Sequence, residues 1–109
     1  VRKVPIAEDL ARYAVRLAAT SRPHQEHTPD FINEWVSWGA GLRAAQFLVL
    51  GAKARTLIQG RSHVETQDIQ ALAAPVLRHR VLVNYRAEAE GMSTQKIIGQ
   101  LLDHVSPDA

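Results

Sequence analysis

The sequence predicts an all-α fold, a small bundle of four to five helices, on three observations. Apolar residues recur at the three- and four-residue spacing of amphipathic helices near both ends of the chain. The stretch 41–59 is apolar on nearly every side, which marks a helix at the centre of a bundle. Strand-like alternation is confined to a few residues, so the only extended structure expected is a short pair near 62–64 and 81–85.

The first helix is read from Ile6, Leu10, Tyr13, Ala14, Leu17 and Ala18, running from Pro5 to near Ser21. Glu8 and Asp9 suit its positive N-terminal end. A Glu8–Arg12 pair adds only about a few tenths of a kcal/mol, so the apolar face must supply most of the stability. Residues 23–28 read as a polar, proline-flanked loop. Thr28-Pro29-Asp30 then offers a cap, a first-turn proline and a first-turn acid ahead of Phe31, Trp35 and Val36, in a short helix to about Ser37.

The central helix, roughly Gly41 to Gln59, carries a glycine in mid-course. Gly51 costs about 1 kcal/mol there unless another element packs closely against it. Gly60 ends the helix in the left-handed conformation. Ile69, Leu72, Ala73, Val76 and Leu77 continue the pattern from about Thr66, bent by Pro75. Residues 81–85 fit a short strand or an extended loop, and 86–91 fit no single element. Ser93 caps a last helix with Ile97, Ile98, Leu101, Leu102 and Val105 on its apolar face.

With 109 residues, 46% of them apolar, the chain supports one domain over 1–109 with a modest core. Residues 1–4 are expected as a linker and 106–109 as a flexible tail. No apolar run approaches the roughly 20 residues of a membrane span, and the N-terminus lacks the apolar stretch of a signal peptide. The absence of cysteine fits a reducing compartment, and cytoplasm is the expectation. A net charge of +2, spread over helices that also carry acids, argues against nucleic acid as a partner. The chain begins at Val1 without a methionine and is expected to be part of something longer.

Catalysis within this chain is not expected. There is no G-x-S-x-G elbow, and the P-loop pattern G-x-x-x-x-G-K-[ST] is absent, because Gly51-Ala52-Lys53 falls inside a helix. His24 and His27 lie in a polar loop without helically spaced carboxylates and read as solvated side chains, not metal ligands. Arg43 is the conspicuous residue. It sits in the first turn of an otherwise apolar helix, where the half-positive N-terminus disfavours a cation unless an anion lies opposite. The same end, opened by Gly39 and Gly41, suits a phosphate. The competing reading is an intramolecular pair with Asp30 or Glu34. Arg78, His79 and Arg80 form a second cluster, readable as cations at a helix C-terminus, with Arg80 pairing to Glu88 or Glu90. The other reading sends one arginine toward a phosphate or a neighbouring subunit.

The segments GLRAAQFLVLGAKARTLIQGR, HVETQDIQALAAPVLRHRVLVNY and AEAEGMSTQKII follow in the order seen in the C-terminal helical lid of MoxR-type AAA+ ATPases, which the chain resembles over nearly its whole length. The resemblance includes Ser21-Arg22-Pro23-His24 and the pattern G-A-x-x-R-A at 39–44. It implies that Arg43 is the sensor-2 arginine, which reaches the ATP phosphates, with Gly39, Gly41, Arg78 and Arg80 in supporting or interface roles. It implies ATP and Mg2+ in the full-length protein, a P-loop core outside this chain, a homo-oligomeric (hexameric) ring, and chaperone-like maturation of protein complexes with a von Willebrand factor A domain partner. Arg43 would serve its own or the neighbouring subunit's nucleotide. Where the family commonly has G-A-S-P-R-A, Gly41 and Leu42 stand here, so a less firmly capped helix start is expected. The segment from Gln25 to Trp38 also looks longer than in many relatives. The alternative is a free-standing helical nucleic-acid-binding or protein-adaptor domain, which would bind with strong salt dependence.

Overall fold

The computed structural model describes residues 4–107. Helix α1 (Glu8–Thr20) starts after Ala7, with Glu8 and Asp9 in its first turn, and buries Tyr13, Ala14, Leu17 and Ala18 as the spacing predicts. The Glu8–Arg12 pair forms at 2.6 Å between two exposed side chains, so it contributes little. The buried Tyr13 hydroxyl accepts a hydrogen bond from Gln70 Nε2 at 3.3 Å, tying α1 to a helix far along the chain.

Helix α2 (Asp30–Trp35) begins directly after Pro29. Thr28 does not cap it. The Thr28 hydroxyl is engaged in the loop, accepting from the Gln25 amide at 2.8 Å and donating to the Arg22 carbonyl at 3.0 Å. Where helix was expected to run on to Ser37, the chain straightens into β1 (Val36–Trp38). There follow α3 (Leu42–Ile58), α4 (Thr66–Leu77), β2 (Leu82–Val83), α5 (Tyr85–Ala89) and α6 (Thr94–His104).

The strands correct the expected extended pair. β2 pairs antiparallel with β1, Val36 facing Val83 and Trp38 facing Leu82, and residues 62–64 take no part. Val64 is instead buried, its amide donating to the Pro5 carbonyl at 3.3 Å, so this turn packs on the chain entering α1. The ribbon is completed by the Asn84 amide on the Trp35 carbonyl (2.9 Å) and by Ser37 Oγ on the Leu82 carbonyl (3.2 Å). The fold is all-α with this minimal ribbon, and the described residues form six helices where four to five were expected. The additional one is α5, in the stretch that fitted no single element. Asn84 Oδ1 caps it by accepting the Ala87 amide at 2.9 Å, and Ala87 is fully buried.

Helix α3 is central, lying between α1 and α4 and burying Ala44, Ala45, Leu48, Ala52 and Thr56. Its mid-helix glycine has a steric reason: a Cβ on Gly51 would lie 2.7 Å from Leu72 Cδ1 of α4. Gly60, at φ +72°, ends α3 in a Schellman motif, with the Arg61 amide on the Thr56 carbonyl and the Gly60 amide on the Leu57 carbonyl. Helix α4 continues past Pro75 to Leu77. Ser93 caps α6 through the Lys96 amide (3.2 Å), and Ile97, Ile98 and Leu101 close the core against Leu17, Leu48, Ile69 and Leu77.

Of the expected linker, residues 1–3 lie outside the described residues and Val4 is buried. Of the expected tail, residues 108 and 109 lie outside, and the Ser106 carbonyl accepts from Arg16 Nη2 at 2.6 Å. Among the described residues, no helix is long and apolar enough to cross a membrane.

Candidate functional site

The start of α3 is positioned by the end of α1. The fully buried Ser21 hydroxyl donates to the Ala18 carbonyl at 2.7 Å and accepts the Ala40 amide at 3.0 Å, joining segments 19 residues apart. Gly39 fits beneath this link because it has no side chain. A Cβ there would lie 2.3 Å from the Ser21 carbonyl oxygen and 2.5 Å from Arg22 Cα, both backbone atoms that cannot give way. Gly41 is different. Its backbone is extended (φ −89°, ψ −175°) and a Cβ would meet nothing within 4 Å, so the position does not require glycine. As the departure from G-A-S-P-R-A suggests, no side chain caps α3, and its first amides are left without an intramolecular side-chain acceptor.

Arg43 lies in that uncapped first turn and is exposed. It forms no ion pair among the described residues, so the pairing with Asp30 or Glu34 is not made. Glu34 instead approaches Arg86 at 3.7 Å. A guanidinium without an acid partner among the described residues thus stands at the positive end of a helix that no side chain caps. The charge of Arg43 and the helix dipole both favour an anion there. Beside this helix start lies a cleft of about 310 Å³ lined by Arg22, His24, Trp38, Gly39 and Gly41 among others. The loop forming its wall is held by the His24 amide on Asn33 Oδ1 at 2.7 Å, with His24 in the left-handed region at φ +64°.

The pairing of Arg80 with Glu88 or Glu90 is also not made. Arg86, four residues before Glu90 on the same short helix, takes that acid at 3.1 Å. Arg80 instead donates from Nη1 to the Val76 carbonyl at 2.9 Å, and its guanidinium lies 4.6 Å from the Phe47 ring centroid. Arg78 is exposed at the C-terminal cap of α4, where the helix dipole favours a cation.

Sequence reasoning did not identify the charged cluster at the far end of α3. Asp68 is fully buried. Its carboxylate accepts from Arg55 at 2.5 Å, from Arg61 Nη1 at 2.9 Å and also from Arg61 Nη2, from the Thr56 hydroxyl at 3.2 Å and from the Glu65 amide at 2.7 Å. The Arg61 bonds hold the carboxyl well below the usual carboxylate range. The Glu65 amide, Arg55 and Thr56 act the same way, and together they outweigh desolvation, which acts oppositely. The Arg61 guanidinium is held more firmly protonated by the same bonds. Glu65 and Asp68 also form a capping box on α4, so this one carboxylate fixes the α3–α4 turn and the start of α4 together. The Glu65-x-x-Asp68 spacing, beside a threonine on an apolar face, was the available signal.

The fold, with α3 packed between α1 and α4, has counterparts among known proteins. The AAA lid domain family matches residues 31–101, and the chain belongs to that family. It is 35% identical over 98 residues to the chaperone MoxR1 of Mycobacterium tuberculosis, a match covering 89% of this chain and 26% of that one. It is 27% identical over 105 residues to the uncharacterized protein YeaC of Bacillus subtilis, covering 96% of this chain and 30% of the other. A solved structure from Cytophaga hutchinsonii, described as a "putative ATPase", superposes with a TM-score of 0.89 at 37% identity over 96% of this chain and 32% of that one. The chain therefore spans about a quarter to a third of the length of these relatives.

Proposed function

We propose that the chain is the lid of a MoxR-type AAA+ ATPase and that Arg43 is its sensor-2 arginine, contacting the ATP phosphates in the full-length protein. One observation carries the reading. Arg43 is exposed, without an acid partner among the described residues, at a helix start anchored by Ser21 and Gly39. A cation in that position gains from an anion on three counts: its own charge, the α3 dipole and the uncapped amides.

The work of this chain is electrostatic and mechanical. Arg43 binds a phosphate oxygen through charge-assisted hydrogen bonds, worth about 1.5–3 kcal/mol net. The Ser21–Ala40 bond and the Asp68 cluster pin the two ends of α3 to α1 and α4, so a pull on Arg43 moves the lid as a body. When the terminal phosphate leaves, the contact is lost and the lid is released. The P-loop, the Mg2+ ligands and the attacking water belong to the rest of the full-length protein. The working assembly on this reading is a homo-oligomeric ring, a hexamer, in the cytoplasm. Arg43 faces a nucleotide of its own or the neighbouring subunit. Chaperone-like maturation of protein complexes, with a von Willebrand factor A domain partner, completes the reading, supported by the likeness to MoxR1.

Steady-state ATP hydrolysis by the full-length protein tests this. Arg43→Ala lowers turnover about tenfold or more while the lid stays folded. Unchanged turnover overturns the assignment.

A further inference from the structure

Arg80 reaches the α3 surface from the turn that follows α4. Phe47 stands four residues after Arg43 on α3, so the two share one face. Helical side chains lean toward the N-terminus, which carries the Phe47 ring toward Arg43. Arg80 lies over that ring at 4.6 Å, which places its guanidinium against a half-exposed phenyl one helical turn from Arg43. A guanidinium has five planar N–H donors. One of them bonds the Val76 carbonyl, and no acid among the described residues engages Arg80. An aromatic platform fixes the side chain without neutralising it, which an ion pair would do. Arg55, Arg61 and Arg86 all have carboxylate partners, whereas Arg43 and Arg80 have none among the described residues.

We propose that Arg80 is a second anion-binding residue of the lid. Held on Phe47 within reach of the Arg43 face, it engages the same polyphosphate, so the lid meets its nucleotide with a pair of arginines. The proposal rests on the reading of Arg43 as the phosphate-contacting residue. Two like charges on one small surface repel, and an anion carrying several charges is the ligand that relieves both. A polyphosphate therefore gains over a single carboxylate, and the triphosphate over the diphosphate.

The test compares Arg80→Gln, Arg80→Lys, Phe47→Leu and Arg43→Ala in the full-length protein. Affinities for ATP and ADP are measured by displacement of a fluorescent nucleotide, alongside melting temperature. Arg80→Gln and Phe47→Leu each reduce the preference for ATP over ADP by about five- to tenfold, Arg80→Lys keeps part of it, and melting is little changed. If Arg80→Gln leaves the preference intact while Arg43→Ala reduces it, the proposal falls and the sensor reading stands. If neither variant changes it, both fall. If Arg80→Gln weakens ATP and ADP equally and lowers the melting temperature, Arg80 is only a helix cap and the proposal is overturned.

Discussion

The Ser21 hydroxyl accepts the amide of Ala40 at 3.0 Å, and this bond sets where Arg43 stands. Both residues are buried, and the same hydroxyl donates back to Ala18. The start of α3 is therefore held from two residues upstream, which substitutes for the side-chain cap it lacks.

Removing the hydroxyl leaves the buried Ala40 amide without its partner. Ser21→Ala is expected to destabilise the domain by about 1–3 kcal/mol, measured by urea unfolding. Stability within about 0.5 kcal/mol of wild type would mean that another group anchors α3.

The two glycines before Arg43 respond oppositely. Gly39→Ala forces a Cβ into the backbone of Ser21 and Arg22 and is expected to unfold or severely destabilise the domain. Gly41→Ser meets open space at an N-cap with extended backbone and raises stability by about a few tenths of a kcal/mol. Thermal melts of the two variants should move in opposite directions.

The Asp68 cluster makes stability acid-sensitive. The folded carboxyl is held below its unfolded value, about 3.9, chiefly by the Arg61 hydrogen bonds. Its contribution is fully present above that value and is lost as pH falls through it toward the folded value. Unfolding free energy should decline below about pH 4. Asp68→Asn should flatten that decline and lower stability at neutral pH by roughly 2–3 kcal/mol. An unaltered acid limb in the variant would assign the effect to other carboxylates.

Within the lid alone, Arg43 opposes the α3 dipole. Arg43→Gln is expected to raise the stability of the domain by about 0.3–1 kcal/mol at low ionic strength, with the gain shrinking as salt is added. A loss of stability would reveal a structural partner for Arg43.

The elements with strong helical spacing were legible in the sequence, because their burial follows directly from which residues recur. Tyr13, Leu17, Ile69 and Leu101 are buried where the periodicity puts them. Gly51 and Gly60 also read correctly, since each has one dominant physical reason. The β1–β2 pairing did not, because Val36 and Val83 are 47 residues apart and a two-residue strand carries almost no pattern. Arg43 was conspicuous because its charge conflicts with its local position. Arg80 was misread because its aromatic partner is on another helix, and competition for Glu90 is decided by which arginine shares its turn. Asp68 was missed because its partners come from the end of α3 and from the α3–α4 turn, and only folding brings them to one carboxylate.

The most direct measurement is ATP turnover by the full-length protein carrying Arg43→Ala, with circular dichroism and melting of the lid recorded in parallel. A sensor-2 role for Arg43 predicts about a tenfold or greater loss of turnover in a protein whose lid remains folded. Wild-type turnover with a folded lid would contradict it.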